Sequence, residues 1–209
     1  MDVTIIGTGN MARGIATRLL AGGHGVTLLG TEAGKAEALA GELGGSVGAG
    51  AVGGEISGDV VVLAVPYGAA VPVLREYGET LSGKTVVDIT NPVDFQTFDA
   101  LVTPADSSAA EEIQKGAPDG VSVVKAWNTT FAGTLVAGEV AGQPLDVFVA
   151  GDDAEAKEAV VRLVESGGSR ALDAGPLRRS RELERLGFLG MTLQQPLGLN
   201  FQSAWKLIS

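Results

Sequence analysis

The chain has 209 residues, 45% of them hydrophobic, enough for one large domain, or a domain with a small appendage, around a buried core. The absence of cysteine excludes disulfides, thiolate metal sites and a cysteine nucleophile, and the single histidine, His24, leaves too few nitrogen ligands for zinc, so no metal centre is expected. A formal net charge of −10 argues against nucleic acid or an anionic membrane surface as partner, because phosphate binding needs clustered lysine and arginine.

In chain order, the first element is a strand at Asp2–Ile6, so near the N-terminus that no leader peptide is expected. It runs into Gly7-Thr8-Gly9-Asn10-Met11-Ala12, which satisfies G-x-G-x-x-G/A between a strand and a helix, the setting in which this weak pattern points to dinucleotide binding. Gly7 permits the tight turn, Gly9 lets backbone approach a pyrophosphate, and Ala12 keeps helix and strand close. Free N–H groups around Thr8–Met11 and the helix dipole then favour the anion. His24, in the glycine-rich turn that follows, is given no role. The second strand, Val26–Leu29, ends at Gly30-Thr31, where an NAD enzyme commonly presents Asp or Glu to the adenosine ribose. Gly30 leaves volume for a 2′-phosphate, Thr31 can donate to it and Lys35 can reach back with positive charge, which favours NADP(H). Glu32 pulls the other way, by repelling the phosphate or by holding the ribose of NAD.

Gly44–Gly58 is so rich in glycine that a loop is expected there, with room for one short strand. The strand at Val60–Val65 is the longest apolar run and far too short to cross a bilayer, so a cytoplasmic protein is expected. It leads to Val65, Pro66 and Tyr67; a strand at Thr85–Ile89 leads to Asn91 and Pro92; and one at Val121–Lys125 leads to Trp127, Asn128 and Thr129. Open α/β sheets bind ligands beyond the carboxyl ends of their strands, which makes these residues candidates for a cofactor crevice. Asn91 and Asn128 each donate and accept, which suits a carboxamide or a flavin-like ring edge. The plainer reading is that Asn-Pro forms a turn and Asn128-Thr129 caps a helix.

Strands at Leu145–Ala150 and Arg170–Asp173 complete the alternation with helices. This is the rhythm of an α/β protein with a Rossmann-type doubly wound parallel sheet over residues 1–173. Residues 174–209 form a small, mostly helical region, read as two helices broken near Pro196. That tail is apolar beyond what one helical face requires, so it packs on the domain, on a second subunit as in a homodimer, or over a ligand. Its five bases, Arg178, Arg179, Arg181, Arg185 and Lys206, outnumber Glu182 and Glu184 and give it a net +3, against −13 for the preceding residues. Such a patch either attracts a small anion or is merely solvated and paired.

No Ser/His/Asp or Cys/His nucleophilic arrangement is present, nor a Tyr-x-x-x-Lys pair, and no residue is assigned a catalytic role. Direct hydride passage between two bound cofactors needs none, since positioning supplies most of the catalysis.

The segments "IIGTGNMARGIATRLLAGGHGVTLLG", "VVVLAVPYGAA", "KAWNTTFAG", "VFVAGDDAEAKEAVVRLVESGG" and above all "ALDAGPLRRSRELERL" together resemble the F420H2:NADP oxidoreductases, also described as NADPH-dependent F420 reductases, in order and spacing over nearly the whole chain. "KAWNT" also resembles the NADPH–flavin reductase domain of the STEAP ferric reductases. The resemblance implies NADP(H) lying across the strand ends and a deazaflavin, coenzyme F420, stacked on the nicotinamide for direct hydride transfer. On matching positions, it assigns Thr8, Gly9, Asn10 and Met11 to the pyrophosphate loop, Gly30, Thr31 and Lys35 to the 2′-phosphate region, and Val65, Ala69, Pro92 and Ala132 to the crevice wall. The family's loop carries an additional glycine and often basic residues after the second strand, where this chain has Thr31-Glu32. Alternatives are a reductase of ordinary flavin (FMN or FAD) and a non-catalytic NADP-binding sensor; imine reductases share the first motifs but have a longer helical C-terminal domain.

Overall fold

Runs of valine, isoleucine and leucine bounded by glycine decide the sheet. In the computed structural model, which describes residues 1–208, β1 is Asp2–Ile6, β2 Gly25–Gly30, β4 Val60–Leu63, β5 Thr85–Asp88 and β6 Ser122–Lys125, each within two residues of its expected bounds. Every residue of β4 and β5 is buried, as expected of parallel strands covered on both faces. The eight-stranded order is β10-β9-β6-β5-β4-β1-β2-β3, with β3 at Gly48–Ala51, β9 at Asp146–Gly151 and β10 at Arg170–Gly175. It contains the Rossmann order 3-2-1-4-5-6, and the direction of winding reverses between β1 and β4. There Ile6 pairs with both Leu29 and Leu63, so the three carboxyl ends lie level and open one crevice.

Helices α1 (Asn10–Ala21), α2 (Ala33–Leu43) and α6 (Ala154–Ser166) cover one face, where Ile15, Leu19, Val160 and Leu163 pack over Val3 and Ile5. On the other face α3 (Tyr67–Tyr77) and α4 (Ala109–Gly116) bring Leu74 and Ile113 over Val61 and Val86. Burying each such side chain contributes roughly 1.5–3 kcal/mol. The short α5 (Ala132–Ala137) packs along α1. Among the described residues no helix is long and apolar enough to cross a membrane.

Two features depart from the expected pattern. β9 runs antiparallel to β6, because the chain between them makes no βαβ crossover; it passes through α5 and a hairpin of β7 (Glu139–Val140) and β8 (Gln143–Pro144). The C-terminal region forms one helix, α7 (Ser180–Thr192), after a 3-10 turn at Leu177–Arg179. The second helix expected beyond Pro196 is absent from the described residues. Gly198, Asn200 and Phe201 take φ of 63°, 51° and 56°, which a right-handed helix cannot hold, and Gln194 Oε1 accepts from the Phe201 N–H at 2.9 Å. Ser209, the last residue of that region, lies outside the described residues.

Candidate functional site

The first loop is shaped by close approach. Gly7 has φ 126°, and a Cβ there would lie 2.1 Å from the Ala64 carbonyl oxygen, so only glycine lets β1 turn against β4. At Gly9 a Cβ would meet nothing within 4 Å, which leaves the loop surface open to a ligand. Asn10 and Met11 begin α1; no side chain caps that helix and no acidic residue sits in its first turn, so its leading N–H groups stay available to an anion.

At the end of β2, a Cβ on Gly30 would come within 2.9 Å of the Thr8 methyl and 3.0 Å of the Glu32 carbonyl oxygen. The volume left by Gly30 is therefore filled by Thr8 rather than open. Thr31 and Glu32 form an exposed bend before α2, and Lys35, in its first turn, donates to Glu32 Oε1 at 2.6 Å.

Beyond these loops lies a cleft of about 720 Å³, walled by Gly9, Asn10 and Met11 on one side and by Val65, Pro66 and Tyr67 on the other, with Asn91 and Pro92 closing it. A second compartment of about 390 Å³ adjoins it, lined by Asn128, Phe131, Ala132, Phe201 and Gln202. Asn10, Met11, Ile89, Asn91 and Met191 belong to both walls, so the two spaces meet. Ala69, half-buried in α3, and Thr129, buried after β6, line neither. Gly7, Thr8, Gly30, Thr31 and Lys35 sit at the β1–β2 end, outside the two spaces. Tyr67 has its hydroxyl pKa raised, first by burial and then by the charges of Glu112, Glu184 and Asp88, so it stays a neutral phenol at working pH.

The two asparagines are joined. Asn91 Nδ2 donates to the Asn128 carbonyl at 2.7 Å, while Asn128 Nδ2 donates to Asn91 Oδ1 and to the Leu183 carbonyl of α7, both at 2.9 Å. They are thus neither simple turn formers nor freely presented amides. Beneath them Lys125 Nζ, fully buried, donates to Asp88 Oδ2 (2.7 Å), Glu184 Oε1 (2.8 Å) and the Thr90 carbonyl (2.6 Å). Burial pushes Lys125 toward its neutral form, but the two carboxylates outweigh it and hold the ammonium protonated; burial likewise raises the Glu184 carboxyl, with Lys125 offsetting only part. Glu184 also accepts the Ala109 N–H at the start of α4 at 2.9 Å.

Sequence patterns alone do not point to this triad or to the walls formed by Thr90, Phe131, Met191 and Phe201. The only signal for the last two was the excess of apolar residues in the tail. The tail's bases are mostly engaged within the chain: Arg181 forks onto Glu111 (2.8 and 2.6 Å), Lys206 Nζ lies 2.7 Å from Asp146 and Arg185 reaches the Ala105 carbonyl. Glu111 accordingly titrates below an ordinary glutamate, chiefly through its bonds from Arg181.

Residues 2–92 match the family described as NADP oxidoreductase, coenzyme F420-dependent. The F420-dependent NADP reductase of Methanothermobacter thermautotrophicus is 32% identical over 202 residues, which are 89% of this chain and 86% of that protein. The chain belongs to this family. The F420-dependent NADP reductase of Methanocaldococcus jannaschii is 35% identical over 135 residues, 62% of this chain and 59% of the relative's length. A crystal structure from Arthrobacter sp. FB24, provisionally described as an F420-dependent NADP reductase, superposes with a TM-score of 0.83 at 30% identity over 99% of both chains.

Proposed function

We propose that this chain transfers a hydride between NADP(H) and the deazaflavin coenzyme F420. The observation that carries the reading is the pair of compartments meeting at Met11, Asn91 and Met191, which gives two planar rings room to touch. When bound, the coenzymes supply the chemistry themselves: NADPH gives up a hydride that the deazaflavin takes together with a proton from solvent. The chain's part is to bind, orient and exclude water. Gly7 to Met11 would hold the pyrophosphate on the open α1 terminus, and Thr31 and Lys35 the 2′-phosphate. Val65, Pro66 and Tyr67 would wall one ring, with Pro92 beside them; Asn91, Asn128 and Ala132 would wall the other. Ala69 backs the first wall by donating its N–H to the Pro66 carbonyl, and Gly30 seats Thr8. Tyr67, kept neutral, can donate a hydrogen bond.

Residues 1–173 serve as the dinucleotide-binding unit and the segment from 174 onward completes the pocket, supported by Met191, Phe201 and Gln202 in its wall. We further propose a cytoplasmic enzyme whose partners are small-molecule coenzymes and, through the exposed apolar side chains Leu197, Leu207 and Ile208, a second copy of itself.

The test is to mix the purified protein with NADPH and oxidised coenzyme F420 and follow deazaflavin absorbance, with NADH and FMN in parallel. Bleaching with NADPH is expected. Tight NADPH binding without deazaflavin turnover would overturn the reading, and turnover of FMN instead would identify a flavin reductase.

A further inference from the structure

Asn128 is held by a closed circuit of hydrogen bonds. Lys125 grips the Thr90 carbonyl, Thr90 leads to Asn91, Asn91 and Asn128 bond each other, Asn128 reaches the Leu183 carbonyl, and the next residue, Glu184, returns to Lys125. Trp127 enters the circuit at φ 56°, a left-handed conformation uncommon for a bulky buried residue, and both the N–H and hydroxyl of Thr130 donate to the Trp127 carbonyl to hold it. α7 seats against the pair through Gly187, where a Cβ would lie 2.6 Å from Asn91 Oδ1.

This circuit fixes which way the Asn128 amide points. Leu183 offers only a carbonyl, so the atom facing it must be the donating nitrogen, and the Asn128 carbonyl fixes Asn91 in the same way. Asn128 Oδ1 is thereby the odd atom out: the residue is 4% exposed, and this oxygen accepts no hydrogen bond from the described residues. A buried acceptor without a donor is costly, and one held by so much supporting structure points to a ligand that fills it. Asn128 itself lines the compartment together with Met11, Phe131, Met191 and Phe201, and that compartment is the space from which a ligand could bring a donor to it.

We propose that Asn128 Oδ1 is the acceptor for an amide N–H on the edge of a planar ring bound in that compartment. The proposal rests on the two-coenzyme reading above, and two ligands carry this chemistry: the nicotinamide carboxamide and the ring imide of the deazaflavin. The test is a binding cycle between protein and ligand. NADPH is compared with its reduced 3-acetylpyridine analogue, in which a methyl group replaces the carboxamide nitrogen, and oxidised F420 with its ring-N-methylated derivative, each on wild type and on Asn128→Ala.

For one of the two ligand pairs, the analogue is expected to bind wild type about tenfold more weakly than its parent, and Asn128→Ala is expected to abolish that difference. Abolition in the acetylpyridine arm assigns the oxygen to the nicotinamide, and abolition in the methylated arm assigns it to the deazaflavin. Equal penalties on both proteins in both arms would overturn the proposal. Should Asn128→Ala not fold, Asn128→Ser removes the same oxygen, and wild type alone suffices to overturn the idea if neither analogue binds more weakly than its parent. These are binding measurements, so they stand apart from the reaction. Failure of deazaflavin turnover counts against the function, whereas normal turnover with no coupling counts only against Asn128.

Discussion

In the function proposed above, coenzyme choice turns on the four residues Glu32 to Lys35. Glu32 and Lys35 are both about two-thirds exposed and bond each other at 2.6 Å, so the positive charge nearest the expected 2′-phosphate already has a counter-ion. An exposed pair of this kind is worth only ~0.2–1 kcal/mol, so the phosphate can take Lys35 over, but the Glu32 charge stays nearby and opposes it. Replacing Glu32→Gln removes that opposing charge and leaves the fold untouched. NADPH affinity is expected to rise by about three- to tenfold, from charge effects on the order of 1 kcal/mol, while NADH, lacking the phosphate, gains nothing. Titration by nicotinamide fluorescence checks this; an unchanged NADPH affinity would place the phosphate away from Glu32. Both residues, and their conflict, are legible in the sequence. Their mutual bond is not, because side chains three apart on a first helical turn can face each other or splay toward solvent.

The elements divide by how much their pattern says. Buried parallel strands read as unbroken Val, Ile and Leu runs, which is why β1, β2, β4, β5 and β6 were found from sequence, whereas the edge strand β3, Gly48-Ala49-Gly50-Ala51, offers no apolar run at all. The β7–β8 hairpin is two residues a side and turns through Ala141 and Gly142, both at positive φ, a signal that Ala-Gly carries more weakly than Asn-Gly. Glu184 of α7 looked like one more charge on a surface helix but is 1% exposed, because its partner Lys125 lies 59 residues away and no local period reports such a pairing. This triad joins α7 to β5 and β6, and breaking it leaves two carboxylates buried without a counter-charge. Lys125→Met is therefore expected to cost about 3–5 kcal/mol at neutral pH, measured by urea unfolding. Burial already raises Glu184, so without Lys125 that carboxyl should protonate more readily, and the deficit should shrink as the pH is lowered. A deficit independent of pH would mean that lost packing, not buried charge, is the cause.

At the scale of the molecule, the second compartment exists only because the chain after α7 folds back over the sheet edge, bringing Phe201 and Gln202 to its wall. One buried carboxylate fastens that strap. Asp146, at the start of β9, accepts from Arg170 Nε at 2.9 Å, Lys206 Nζ at 2.7 Å and the Leu207 N–H at 2.8 Å. Burial alone would raise its pKa, but the bonds from Arg170, Lys206 and Leu207 prevail and bring it down to about 2 from 3.8. Because the folded value lies below the unfolded one, the contribution is full above about pH 5 and is lost as the pH falls toward 2. At 1.36 kcal/mol per unit it comes to about 2 kcal/mol, or about 4–8 °C in Tm for a chain of this size. Asp146→Asn is expected to lower Tm by about that much at pH 7, and the gap to wild type should close as both are acidified, since protonated Asp146 then resembles the amide. If the strap is what the carboxylate holds, Leu207 amide exchange should quicken in the variant, and whichever coenzyme ring sits in the second compartment should bind more weakly while the affinity of the other changes little. A variant whose Tm falls equally at pH 7 and pH 2.5, with both coenzymes bound as before, would show that the strap is held by the apolar contacts of Trp205 and Phe201 instead.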